Sequence, residues 1–285
     1  MEEKFGLFDI IIYILMGLVL IAVLYPILHV VAVSFSSASY IVQGKVGVLP
    51  KGFSLDAYKH IFKSSQVPRA YGNTILYTTV GTMINILMTA IMAYPLSKSQ
   101  LIGRTIIMKL IIFTMFFSGG TIPTYLVVKS LKLINTMWSL VLPNAIWTME
   151  LLILISFYRT LPISLYESAV LDGASEYRVL FQIFLPLSKA SLASIGLFYF
   201  MGHWNSYFLP LIYLNDSKKY PLQLILKDML LDDSSNISST VANSKITSEA
   251  VKNATIFITM IPVLLVYPFA QKYFVKGVMI GSIKG

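Results

Sequence analysis

Apolar runs long enough to cross a bilayer alternate with shorter polar stretches along this chain. They lie at about residues 9–35, 71–96, 106–128, 137–158, 185–214 and 254–273. A hydrocarbon core needs roughly 20 helical residues to span it. Unpaired backbone groups are not tolerated in lipid, so each run is expected as a helix. The first run is far longer than the roughly 7–15 apolar residues of a secretion signal, and is read as a retained span. The second is expected to stop at Tyr94-Pro95. The third is interrupted by Ser118-Gly119-Gly120-Thr121-Ile122-Pro123, where a straight helix is not expected. The fifth is expected to kink near Gly202, and the sixth contains Pro262 and Pro268. The expected fold is all-α: a polytopic membrane protein of about six transmembrane helices, forming one domain over residues 1–285 with its core at about 71–275. Polar segments at 36–70 and 215–253 read as loops, and 275–285 as a short tail.

One stretch, 161–186, fits neither lipid nor water. Glu167, Asp172, Glu176 and Arg178 fall within about a dozen residues, between two apolar runs. Each such charge at a bilayer centre would cost about 2.5–3.5 kcal/mol, so the stretch belongs outside the membrane. Pro162 suits a first helical turn, and Ser164 with Glu167 reads as a capping box. Asp172-Gly173 reads as the turn that ends the helix. A second short helix is expected from near Ser175 to just before Pro186. Val170, Leu171, Val179, Leu180, Ile183 and Phe184 then form an apolar surface with Glu167, Asp172 and Arg178 among them. Two coverings suit it: lipid headgroups beneath an amphipathic hairpin, or the groove of a partner protein. An anionic residue among apolar anchors suits a partner's Arg or Lys better than acidic lipid.

Composition narrows the class without settling orientation. The chain is 56% hydrophobic and 12% charged, against about 25% charged in ordinary soluble domains. Its net charge of +9 fits Lys and Arg near headgroups. No basic run with interleaved aromatics points to nucleic acid. The absence of cysteine excludes disulfides and thiolate metal sites, and His29, His60 and His203 are far apart in sequence. No metal site is expected. Ten Lys and Arg residues fall on the side of the termini and 12 on the other, out of 22, so positive-inside counting does not choose a side.

The 161–186 stretch resembles the EAA loop of permease subunits in bacterial ABC importers. That family's pattern is Glu-Ala-Ala, three residues, Gly, nine residues, then Ile-x-Leu-Pro. Here Glu167-Ser168-Ala169 leads, Gly173 follows three intervening residues, and Ile183-Phe184-Leu185-Pro186 follows nine more. Ser168 for the first Ala is the one departure. Gly119-Gly120-Thr121-Ile122-Pro123-Thr124-Tyr125, Gly202 to Tyr207, Tyr220-Pro221-Leu222-Gln223 and Lys276-Gly277-Val278-Met279-Ile280-Gly281 resemble the carbohydrate-uptake, maltose-type branch. The resemblance implies a cytoplasmic coupling loop between spans four and five, with both termini cytoplasmic in a bacterial cell membrane. Glu167, Ser168, Ala169, Asp172, Gly173, Ala174, Ile183, Leu185 and Pro186 would couple to an ATPase. Gly277, Gly281 and Gly285 would let the tail approach it. The implied partners are a second permease, two ATPase subunits and an extracellular solute-binding protein, which the 215–253 loop would touch. ATP and Mg would bind in the ATPases, with no cofactor on this chain.

The chain's own motifs agree in what they lack. G-x-x-x-x-G-K-[ST], H-E-x-x-H and G-x-S-x-G are all absent, so a nucleotide cradle, a zinc protease and a serine hydrolase have no signature. Glu150, beside Trp147 and near Asn144, lies within an apolar run. Such acids face a cavity or a polar partner, so it either lines a solute path or joins a helix-packing cluster. His203, Trp204, Asn205 and Tyr207 suit a sugar's apolar faces and hydroxyls, or serve packing. The expected activity is non-enzymatic translocation of a sugar, an oligosaccharide before others. A non-sugar solute and a secondary transporter are the alternatives.

Overall fold

The computed structural model describes residues 6–231 and 247–282. Its helices are, in order, α1 (Leu7–Ser34), α2 (Ala38–Val42), α3 (Asp56–Lys63), α4 (Gln66–Ser97), α5 (Arg104–Phe116), α6 (Thr121–Ser130), α7 (Trp138–Val141), α8 (Thr148–Tyr158), α9 (Ile163–Leu171), α10 (Glu176–Val179), α11 (Leu185–Leu187), α12 (Lys189–Trp204), α13 (Phe208–Tyr213), α14 (Leu222–Leu231) and α15 (Ser248–Ser282). A π-helical turn, Leu180–Phe184, joins α10 to α11. No strand occurs among the described residues.

Three helical segments among the described residues are long and apolar enough to cross a membrane: Phe8–Ser34, Gln66–Ser97 and Ser248–Pro268. Three bent pairs qualify when each is taken together, giving up to six spans. The α5–α6 pair turns by 115° where the sequence places its Gly-Gly break. Gly120 there has φ +86° and ψ 173°, a region that only glycine enters readily.

Other boundaries differ from the sequence reading. Helix α4 runs through Pro95 to Ser97. The fourth run is not one helix: Trp138–Asn144 and Thr148–Tyr158 meet at 50°, just past Pro143. The helix after Ser175 does not stop before Pro186; the chain stays helical to Leu187 and turns by 82° before Lys189. Gly202 lies inside α12, and its lack of a side chain serves packing. The 36–70 segment contains α2 and α3, and 215–253 contains α14. Residues 232–246 of that loop lie outside the described residues.

The chain divides into two compact units. In the first (1–69 and 225–261), Phe35 anchors the segment after α1. Its ring stacks on Phe53 and Tyr58 and meets Phe257 edge-on. Tyr58 donates to Ser34 Oγ (2.8 Å). The apolar window of α1 buries none of its residues in the chain itself.

In the second unit (70–224 and 262–285) α4 is the spine. Ala90, Ala93, Tyr94 and Leu96 near its C-terminal end join Leu151, Leu154, Ile155 and Tyr158 of α8 in one core cluster. Tyr77, further up α4, joins Val128, Leu140, Tyr213 and Leu214 in another. At 1.5 Å per residue, Tyr77 and Tyr94 stand about 25 Å apart along the helix. Between them α4 passes close to α12: a Cβ on Gly81 would lie 2.6 Å from His203 Nε2.

A Cβ on Gly202 would lie 2.0 Å from the Trp147 ring. Overpacking of this kind costs about 1–3 kcal/mol. Gly202→Ala is therefore expected to lower the thermal-unfolding midpoint of the purified protein by several degrees. Gly72→Ala, which meets nothing within 4 Å, is expected to hold or raise it.

Candidate functional site

The charged stretch forms two short helices around a tight turn. Pro162 is the N-cap of α9, with no side-chain cap bond. The Ser164–Glu167 capping box is therefore not formed: the helix begins one residue before Ser164. At its other end Gly173 has φ +76°. Gly173 N–H donates to Val170 O (3.0 Å) and Ala174 N–H to Ala169 O (2.9 Å). This pair of bonds closes a helix on a left-handed residue, the conformation glycine adopts at least cost. Ser175 then caps α10, accepting from Arg178 N–H at 3.4 Å.

A clamp fixes this turn to the end of α4. Glu176 Oε2 accepts from Tyr94 Oη and Lys98 Nζ, each at 2.5 Å. Its Oε1 accepts from Tyr166 Oη at 2.9 Å. The Lys98 ammonium also lies 4.3 Å from the Tyr94 ring centre and 4.0 Å from that of Tyr166, a cation–π arrangement. Partial burial pulls the Glu176 carboxyl upward. The Lys98 ammonium and the two tyrosine hydroxyls outweigh this and hold it below the usual carboxylate range.

The loop consequently has two unlike faces. Ala169, Val179, Leu180 and Phe184 are buried in the α4–α8 cluster, with Ile183, Leu185 and Ala174 packed against it. Phe184 meets Tyr94 and Tyr158 edge-on. The expected single apolar surface is thus split, because Val179, Leu180 and Phe184 turn into the chain's own core. Glu167, Ser168, Asp172, Gly173, Arg178 and Pro186 are exposed, as are Val170, Leu171 (88%) and Tyr177 (77%). Beside the clamp a cleft of about 490 Å³ is lined by Lys98, Arg104, Arg159, Tyr166 and Glu167 among others.

A second set of polar groups lies within the bundle. Asn85 Nδ2 donates to Asn144 O (2.7 Å), and His203 Nε2 donates to Asn85 Oδ1 (2.6 Å). Trp147 N–H donates to Tyr199 Oη (3.2 Å), which shares a further hydrogen bond with Thr89 Oγ1 (2.6 Å). Trp147 packs on Tyr199 and His203. Two of these bonds satisfy backbone groups at the break before α8, the Asn144 carbonyl and the Trp147 N–H. Glu150, buried in the first turn of α8, sits where the helix dipole favours negative charge.

The structure therefore brings Asn144, Trp147 and His203 together. Trp204 is buried against Tyr71 and Phe200 instead. Asn205 and Tyr207 are exposed past the end of α12. Gly277 and Gly281 lie in α15, and Gly285 is outside the described residues. Sequence reasoning missed Tyr94, Lys98 and Tyr166 of the clamp, and Asn85, Thr89 and Tyr199 of the interior set. A visible signal existed for part of it: Thr74, Thr78, Thr82, Asn85 and Thr89 recur at helical spacing on one face of α4.

No family model matches the chain. Individual proteins do. It is 44% identical over 99% of its length to the whole of the polygalacturonan/rhamnogalacturonan transport system permease protein YtcP of Bacillus subtilis (strain 168). It is 45% identical, over 91% of its length and 89% of the relative's, to protein LplC of the same organism. A crystal structure of a bacterial ABC transporter involved in import of the acidic polysaccharide alginate contains a similar chain. That chain superposes with a TM-score of 0.90 at 32% identity, covering 94% of this chain and 96% of its own. A second alginate transporter structure, in complex with alginate pentasaccharide-bound periplasmic protein, shares the fold at a TM-score of 0.61 and 16% identity, over 92% of this chain and 93% of the other.

Because the clamp holds Glu176 low, its stabilisation is complete above the ordinary carboxylate range and is lost as pH falls through its depressed value. Backbone hydrogen exchange across 163–179, relative to the intrinsic rate at each pH, is expected to quicken over that acid interval. Glu176→Gln should quicken it at neutral pH and flatten the acid response. Identical profiles for the two proteins would show that the clamp does not hold the loop.

Proposed function

The chain belongs to the permease family of sugar ABC transporters, and on that premise we propose that it forms half of the membrane passage of an ATP-driven importer for oligosaccharides. A second permease would complete the passage, two ATPase subunits would drive it, and a solute-binding protein would deliver the sugar. This chain translocates and does not catalyse. ATP and Mg would bind in the ATPases.

The observation that carries the proposal is the two-faced loop. One face is locked to α4 and α8 through Glu176, Val179, Leu180 and Phe184. The other offers Leu171 and Tyr177 as apolar anchors, with Glu167 and Asp172 as acids beside them. That is the form of a short helix seated in a partner's groove. A push on the bare face passes to the helices through bonds already made. The loop, N-terminus and tail would then be cytoplasmic, with the bends at 117–120 and the 215–221 segment facing outward. Alternating access follows: ATP-driven closure draws two such loops together and opens the outer mouth to the loaded binding protein. Relatives that transport polygalacturonan and rhamnogalacturonan, or import alginate, make acidic saccharides the first class to test.

Nothing lies within 4 Å of a Cβ placed on Gly173. Gly173→Asp, although strained at its positive φ, should therefore insert normally. It puts a side chain and a negative charge at the tip that would enter the groove. Membrane level is expected to stay within about twofold, whereas oligosaccharide uptake and copurification of the ATPase are expected to be lost. Uptake at the unaltered rate would rule out the coupling role.

A further inference from the structure

The end of the second unit opposite the clamp carries several lysines. Two stretches, 131–137 and 213–221, are tied together by Asn135. Its N–H donates to Tyr213 O (2.8 Å). Its Oδ1 accepts from Asn215 and Asp216 N–H (both 3.2 Å), and its carbonyl accepts from Lys219 Nζ (2.8 Å). Asn73 Nδ2 holds Lys218 O and Tyr220 O, and Tyr77 Oη holds Lys219 O. The backbone carrying Lys218 and Lys219 is thus pinned by three side chains. Lys129 and Lys132 lie in the turn that ends α6, where Lys132 N–H donates to Lys129 O (3.0 Å), three residues before Asn135.

Lys132 occupies the left-handed position after α6, at φ +57°, where glycine is the low-strain residue. Lys132 and Asn135 are the two non-glycine residues of positive φ among those described. Such conformations persist where surroundings impose them, and they gather at working sites. A helix C-terminus accounts for the charge of Lys129 but not for Lys218, on a separate segment. Lys129, Lys132 and Lys218 are exposed and form no ion pair among the described residues. Asp216, the sole carboxylate of the two stretches, is occupied by Lys218 N–H (2.9 Å). Trp138, directly after the first stretch, is 42% exposed and offers a ring to a sugar's apolar face.

We infer that this lysine platform receives the carboxylates of a uronic-acid-containing oligosaccharide as it enters the passage. The inference rests on the sugar-importer reading and on the acidic class of saccharide named with it, and adds the residues that read the carboxylates. Fixed cations around an opening concentrate an anionic solute and orient it, an effect weakened by salt. An acidic face of the binding protein is the competing occupant, and the test separates the two.

The full importer, with its partner permease, ATPases and binding protein, is reconstituted in vesicles. Uptake is measured for an oligogalacturonate and for its carboxyl-reduced counterpart of equal length. Lys218→Gln and Lys132→Asn, the latter chosen because Asn tolerates a left-handed backbone, are compared with the unaltered chain. Expected is a roughly fivefold or greater rise in apparent KM for the oligogalacturonate in the double variant, largest at low salt. The carboxyl-reduced sugar should be unaffected, and Lys218→Arg should restore the acidic sugar. Equal losses for both sugars would assign the lysines to the binding protein and overturn the inference, as would no change for either. Uptake of the reduced sugar alone by the unaltered importer would overturn the inference and leave the sugar reading standing. Uptake of neither would contradict both.

Discussion

A single carboxylate, Glu176, decides how the charged stretch is held. It accepts from Tyr94, Lys98 and Tyr166 together, so one side chain binds both short helices to the end of α4. Lys98 is half of that arrangement, bonding the carboxylate while lying over both tyrosine rings. Exposed ion pairs are worth little by themselves. This one matters because it closes over a packed core, where Phe184 meets Tyr94 and Tyr158. Bond and core together give the loop one fixed face and leave the other bare.

Helix α4 then relates the two ends of the second unit. Its C-terminal end carries the clamp and its upper part carries Asn73 and Tyr77, which pin the lysine-bearing segment. Between them Asn85 and Thr89 join the polar set that braces the break in the fourth run. Small or polar residues at such crossings let helices approach and supply bonds that lipid cannot, and Gly81 and Gly202 do this here against His203 and Trp147. Under the proposed function, movement of the loop would travel along this spine. The interior residues read as brace more than as sugar contacts: Asn144, Trp147 and His203 are engaged with one another and with Asn85 and Tyr199.

Much of this was legible in sequence. Apolar runs gave the helices and Gly119-Gly120 gave the sharp bend. The charges between Glu167 and Arg178 marked the loop, and its resemblance to the EAA loop pointed to the family. What stayed hidden depended on contacts distant in sequence. Glu176 was visible as a charge, but its partners Tyr94 and Lys98 lie about 80 residues away. The apolar residues of the loop looked like one surface, because sequence does not say that Val179 faces the core and Leu171 faces outward. Pro143 was in plain view, yet the break beside it was missed because the apolar run continues through it. Gly202 was read as a kink, since the close approach of Trp147 leaves no local trace.

Under the proposed function, the bare face of the loop is where an ATPase docks. The chain contains no cysteine, so single reporters can be placed without background. Leu171→Cys and Tyr177→Cys, in the assembled importer, should cross-link through a short thiol linker to the ATPase subunit, whereas Ala169→Cys, on the buried face, should not. Labelling of the Leu171 and Tyr177 positions from the lipid phase, with no ATPase adduct at either, would contradict the account.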